Sequence, residues 1–173
     1  FCQQRGVKVI PSVVTGWMSG GLFAPPGLAN LNLMNDGTAL MGEHRYVKYF
    51  VGALKDHPAV IAWDLGNECN CRAEVKSEGE AWNWLNTIVS AIREADPSRP
   101  VHSGMHAQST SQFDVWNLQT QGELLDVLTP HPYPAVWRPD ADRGPYNGFR
   151  NALHPSAMCL VYEGVGGKSA YPQ

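Results

Sequence analysis

Two glutamates in this 173-residue sequence each close a short apolar run. Glu68 ends Val60-Ile-Ala-Trp-Asp-Leu-Gly-Asn-Glu68, and Glu163 ends Ala157-Met-Cys-Leu-Val-Tyr-Glu163. An acid directly after a buried run reads as the carboxyl end of a parallel strand, where barrel enzymes keep their reactive groups. Two such acids suit the hydrolysis of an acetal. One carboxyl protonates the leaving oxygen while the other attacks carbon or activates water. Trp17, Trp116 and Trp137 fall in loops after strands, where a flat ring can stack on the C–H face of a sugar. For each of them, packing of the loop itself is an equal alternative.

Strands must carry these acids, and helices must cover the strands. Val7–Val14 is a β-branched run that reads as a strand, and residues 15 to 37, rich in Gly, Pro and Asn, read as a long loop of the functional kind. Tyr46, Val47, Phe50 and Leu54 recur at helical spacing and predict a helix over 38–55, stopped at His57-Pro58. Ser77 and Glu80 form a capping box for a second helix, whose apolar stripe is Trp82, Leu85, Ile88, Val89 and Ile92. Short strands are expected over 100–105, over 124–129 and over 157–163, with a short helix between Pro145 and Leu153. Alternating strands and helices with continuously apolar strands mean a parallel sheet under helices, an α/β fold. Gly20-Gly21 and Gly164-Val-Gly-Gly167 lack the phosphate-cradling forms of a doubly wound nucleotide domain, so a β/α barrel is preferred.

Composition narrows the function. Net charge is −3 with a pI near 6.0, which leaves no basic surface for nucleic acid or anionic membrane. No apolar run is long enough to span a bilayer. Hydrophobic residues at 43% allow one domain with a real core. Cys2, Cys69, Cys71 and Cys159 have no zinc spacing, and the favoured reading is packed or incidental thiols. A disulfide from Cys69 or Cys71 to another segment stays open for a secreted protein. Neither a metal nor a cofactor is expected, and the compartment, secreted or cytoplasmic, is not legible.

Ala62-Trp-Asp-Leu-Gly-Asn-Glu68 resembles the strand-4 signature of clan A glycoside hydrolases, family 5 in particular. Tyr46 to Pro58 resembles the preceding helix, Asp96-Pro-Ser-Arg-Pro-Val101 the approach to strand 5, and His131-Pro-Tyr133 the strand-6 His-x-Tyr motif. The order of these elements makes the resemblance specific where each alone is weak. It implies a partial (β/α)8 TIM barrel. Residues 1–173 would be one incomplete catalytic domain covering strands 3 to 7, without strands 1, 2 and 8.

By that resemblance Glu68 is the general acid and then base, with a pKa raised by burial and by the charge of Glu163. Glu163 is the strand-7 nucleophile, although Glu-Gly-Val-Gly departs from the family's usual Glu-Phe-Gly. Tyr133 holds the nucleophile charged, and Asn67 donates to the sugar 2-hydroxyl. His131 orients a carboxylate or binds a sugar hydroxyl, with a core histidine nearly as well supported. Trp137, followed by Trp17, is the preferred sugar platform. His102 and His106 close strand 5 and are further cleft candidates, whereas Asp64 points into the barrel and is structural. The expected carboxyl separation is about 5 to 5.5 Å, as in retaining enzymes. The implied activity is hydrolysis of a β-linked glycan, mannan or glucan, with a slight lean to mannan. An exo-acting β-galactosidase or β-glucosidase of the same clan, and a barrel that binds carbohydrate without cleaving it, are the alternatives. The expected partner is the carbohydrate substrate, and oligomeric state is unknown.

Overall fold

The computed structural model describes residues 1–106, 110–132 and 147–172. Five parallel strands form one sheet: β1 (Ser12–Val14), β4 (Trp63–Gly66), β5 (Val101–His102), β6 (Val127–Leu128) and β7 (Ser169–Ala170), side by side in that order. Ser12, Asp64, His102, Val127 and Ser169 lie level across it. Because every pair is parallel, all five carboxyl ends open onto one face. A separate antiparallel hairpin, β2 (Trp17–Met18) and β3 (Gly21–Leu22), rises from the loop after β1.

Helix α1 (Gly37–Leu54) starts where Asp36 accepts the backbone N–H groups of Thr38 and Ala39. Val47 and Val51 bury its inner face, whereas Tyr46, expected in that stripe, is half exposed. Helix α2 (Glu78–Ala95) starts at Ser77, whose Oγ accepts the Glu80 N–H over 3.2 Å. The return bond of a capping box is absent among the described contacts. Glu80 instead accepts from the Lys76 N–H and from Asn35 Nδ2. The buried stripe of α2 is Ala81, Trp84, Leu85, Ile88, Val89, Ala91 and Ile92, so Trp84 takes the place expected for Trp82.

Helices α1 and α2 pack on each other and against β1 and β4, and α3 (Leu118–Leu124), not foreseen from the sequence, packs on α4 (Asn147–Gly166). Trp63 faces outward, as its parity requires, meeting Phe50 of α1 edge-on at 6.4 Å. Asp64 faces inward, and Ser12 Oγ donates to its Oδ2 over 2.6 Å. That donor meets the requirement that a buried carboxylate find a partner.

One element differs in kind. The expected strand ending at Glu163 is helix: α4 runs unbroken over Asn147–Gly166, with Pro155 inside it. Leu160 and Val161 are exposed, while Met158, Tyr162 and Val165 turn to the core. Those three are four and three residues apart, which is helical spacing. A short apolar run cannot by itself separate a strand from a helix, and here the buried subset decides it. The true strand, β7, follows the helix and carries almost no apolar signal.

Candidate active site

Glu68 stands two residues past the end of β4, at the carboxyl face of the sheet. It is 8% exposed and has φ 50°, ψ 48°, the left-handed conformation; Ser19 is the other non-glycine residue with positive φ among those described. A non-glycine residue held there costs about 1–2 kcal/mol, a strain that clusters at working sites. The turn is enforced from both sides. A Cβ at Gly66 would stand 1.9 Å from the Val14 carbonyl oxygen, so the chain leaving β4 presses on β1. A short 3₁₀ turn, Cys69–Cys71, follows, and the Cys69 N–H donates to the Gly104 carbonyl over 3.1 Å.

His131, from the chain after β6, approaches from within the barrel. It is 3% exposed, and its Nδ1 lies 3.1 Å from Glu68 Oε1. Two hydroxyls lock the strand ends that deliver it. Ser103 Oγ and Thr129 Oγ1 are 3.0 Å apart, the Thr129 N–H donates to Ser103, and the Gly104 N–H donates to Thr129. His106, at the end of the chain after β5, places Nε2 at 3.9 Å from the same Glu68 oxygen. Its backbone N–H donates to Asn70 Oδ1 over 2.8 Å. Burial, with a further push from the Glu68 charge, raises the Cys71 thiol pKa. Asn67 is half-buried, and its Nδ2 donates to the Trp17 carbonyl over 2.9 Å, tying the β2–β3 hairpin to the site. An amide nitrogen carries two hydrogens, so that bond uses one of them.

Beneath the turn sits a buried ion pair. Arg72, which ends the 3₁₀ turn, pairs with Glu43 of α1, whose other oxygen accepts from Trp84 Nε1 over 2.9 Å. A cavity of about 330 Å³ beside this pair is lined by Val13, Phe23, Leu28, Tyr46, Glu43 and Arg72, without Glu68.

The sequence-predicted residues separate into groups. Glu68, Asn67 and His131 are brought together, with Trp17 held close through its backbone carbonyl. Tyr133 and Trp137 lie outside the described residues. Trp116 meets Trp84 edge-on at 6.3 Å and packs in the core, not over the site. His102 faces the barrel interior, with Tyr171 Oη 2.8 Å from its Nδ1. Glu163 is the correction. It lies in the last turn of α4, is exposed, and accepts the Ala170 N–H over 3.1 Å. A helix entering a parallel strand delivers its last turn to the amino face of the sheet, opposite the face that holds Glu68. Glu163 therefore shares no cleft with Glu68 and is not the second carboxylate. Sequence reasoning missed the Arg72–Glu43 pair, whose partners are 29 positions apart with no local signal. Among the described residues no group of three His, Cys, Asp or Glu is placed to hold a metal ion.

Comparison with known proteins agrees with this geometry. The family model for glycosyl hydrolases family 2, TIM barrel domain, matches residues 26–129, more than half the chain. Mannan endo-1,4-beta-mannosidase A of Podospora anserina is 28% identical over 159 residues, covering 83% of this chain and 42% of that protein. A probable mannan endo-1,4-beta-mannosidase F of Emericella nidulans is 24% identical, over 82% of this chain and 36% of that protein. The chain thus spans less than half the length of these curated relatives. Among solved structures, GH5_18 from Streptomyces cattleya in complex with GlcNAc superposes with a TM-score of 0.81 at 20% identity, covering 93% of this chain and 41% of that one. An exo-beta-1,4-mannosidase from Opitutaceae bacterium strain TAV5 gives 0.73 at 23% identity, over 99% and 38%. Those superpositions establish a partial (β/α)8 barrel, and with the family model over most of its length the chain belongs to the clan A glycoside hydrolases, in the family of the glycosyl hydrolase 2 TIM barrel domain.

Proposed function

We propose that the protein containing this chain is a retaining glycosidase that cleaves β-linked glycans of the mannan type, and that Glu68 is its acid/base residue. The arrangement of Glu68 carries this reading. It is a buried carboxyl at the carboxyl end of a barrel strand, in a strained turn, braced by a buried imidazole. In the first half-reaction Glu68 donates its proton to the glycosidic oxygen as the bond to the anomeric carbon breaks. In the second it takes a proton from the water that displaces the enzyme from the glycosyl intermediate. Asn67 would offer its remaining N–H to the 2-hydroxyl of the sugar.

The nucleophile belongs at the carboxyl end of β7, past Tyr171, because that end faces the same cleft as Glu68. The chain would then be strands 3 to 7 of the eight, with neighbouring strands of the whole protein completing the barrel. The mannan preference rests on relatives named as mannan endo-1,4-beta-mannosidases.

The test is kinetic. The whole protein is assayed on aryl β-mannoside, β-glucoside and β-galactoside and on β-mannan, with the anomer of the first product followed by proton NMR. The expected result is mannoside preference, retained configuration and loss of turnover in Glu68→Gln. Full turnover in Glu68→Gln, or an inverted product, contradicts the reading.

A further inference from the structure

We propose that His106 is a second positioning residue for Glu68, one that holds the carboxyl from its open side while His131 holds it from the buried side. This inference rests on Glu68 being the acid/base residue. Three observations carry it. Both imidazoles converge on one oxygen, Oε1, at 3.1 Å from His131 Nδ1 and 3.9 Å from His106 Nε2. They arrive from different strands, after β6 and after β5, so the carboxyl is gripped across the sheet and not by one loop. The two differ in exposure: the His131 side chain is 3% exposed and that of His106 is 22%. His131 is therefore buried, whereas His106 keeps contact with solvent.

The His106 position is built, not incidental. Asn70, within the 3₁₀ turn that follows Glu68, accepts the His106 backbone N–H. The Cys69 N–H reaches back to the Gly104 carbonyl in the same segment. The turn that carries the acid and the segment that carries the imidazole are thus fastened at two points. Two imidazoles facing Oε1 limit how the plane of the carboxyl can rotate. That orientation decides whether the proton lies on the line to the glycosidic oxygen. A displacement of about 1 Å from such a geometry costs on the order of a hundredfold in rate. At 3.9 Å the His106 contact is longer than a hydrogen bond, and the role proposed for His106 requires that it shorten in the substrate complex, as catalytic contacts commonly do.

A group that acts through the acid matters only where the acid is needed. A glycan leaves as a poor leaving group and requires protonation, whereas 2,4-dinitrophenolate departs without it. The experiment compares kcat/KM, which reports the first half-reaction, for β-mannan oligosaccharide and for 2,4-dinitrophenyl β-mannoside. The whole protein is used, as wild type, Glu68→Ala, His106→Ala, His106→Gln and Asn70→Ala. His106→Ala is expected to lose about ten- to a hundredfold on the oligosaccharide and less than about threefold on the dinitrophenyl glycoside. His106→Gln, which keeps an N–H within reach, recovers part of that loss, and Asn70→Ala shows the same selective pattern at smaller amplitude. Equal losses on both substrates in His106→Ala, or no loss on either, overturn the proposal while Glu68→Ala remains selective. If Glu68→Ala itself loses equally on both substrates, the acid/base assignment falls, and the role of His106 falls with it.

Discussion

The backbone N–H of Cys69 donates to the carbonyl of Gly104 over 3.1 Å, fastening the turn after β4 to the chain after β5. Gly104 permits this because it has φ +57° and because a Cβ there would stand 2.0 Å from the Gly66 carbonyl oxygen. Two strand ends meet with no side chain between them, and Glu68 occupies the corner they make.

Gly104→Ala is expected to destabilise the protein by at least about 2 kcal/mol, from left-handed strain and overlap with the Gly66 carbonyl together. Gly52→Ala, in the interior of α1 with nothing within 4 Å of the new Cβ, is the counterpart. It should stabilise by about 0.5–1 kcal/mol through helix propensity alone. Urea midpoints for both variants give the comparison. A neutral Gly104→Ala would show that the corner is not closed as described.

Arg72 and Glu43 are both buried, with side chains 3% and 7% exposed, and α2 adds Trp84 as a donor to Glu43. Breaking the pair by Arg72→Met leaves a buried carboxylate without its cation and should cost about 3–5 kcal/mol. Glu43→Gln combined with Arg72→Met removes the stranded charge and should recover much of that loss. A double-mutant cycle in denaturant reads the coupling directly. Additive effects would mean that the two charges do not interact.

Stability should fall in acid partly through Asp96. Burial opposes ionisation of this carboxyl, but donation from Ser98, from Trp63 Nε1 and from Arg99 outweighs it and holds the pKa below the usual aspartate range. A folded pKa depressed below the unfolded one, about 3.9, gives stability that is complete above that value and lost as pH falls through the folded one. Asp96→Asn should therefore be less stable than wild type at pH 6 and lose less on going to pH 3. Chemical denaturation at the two pH values decides it. An identical pH slope in both proteins would remove Asp96 from the account.

Cys69 is fully buried, and burial, partly offset by the nearby Arg72 cation, drives its thiol pKa far above the ordinary range. Its Sγ lies 3.7 Å from the Val14 carbonyl oxygen. Since the thiolate is the reactive form, Cys69 should resist iodoacetamide in the native protein, while the partly exposed Cys2 reacts. Mass spectrometry of native and unfolded samples distinguishes the two. Early labelling of Cys69 would contradict the packing described.

Local chemistry made the acid legible. Asn67-Glu68 follows a run whose residues are nearly all buried, and alternation alone sent Trp63 to the helices and Asp64 into the barrel. The same logic failed at Glu163. Ala157 to Tyr162 is apolar enough for a strand, but a string of letters does not show which of its side chains find the core. Leu160 and Val161 do not, and the stripe of Met158, Tyr162 and Val165 makes the segment a helix. That single reassignment carries Glu163 from the carboxyl face of the sheet to the amino face.

From its own order of residues this chain determined most of the alternation of strand and helix, the cap at Ser77, and the place of Glu68, because each depends on neighbours a few positions away. Tertiary structure alone decided what surrounds that glutamate. His131, His106, Gly104 and the buried Arg72–Glu43 pair come from separate strands and helices. Their meeting is set by the register of a parallel sheet, in which contacts join residues dozens of positions apart and leave no periodic trace along the sequence.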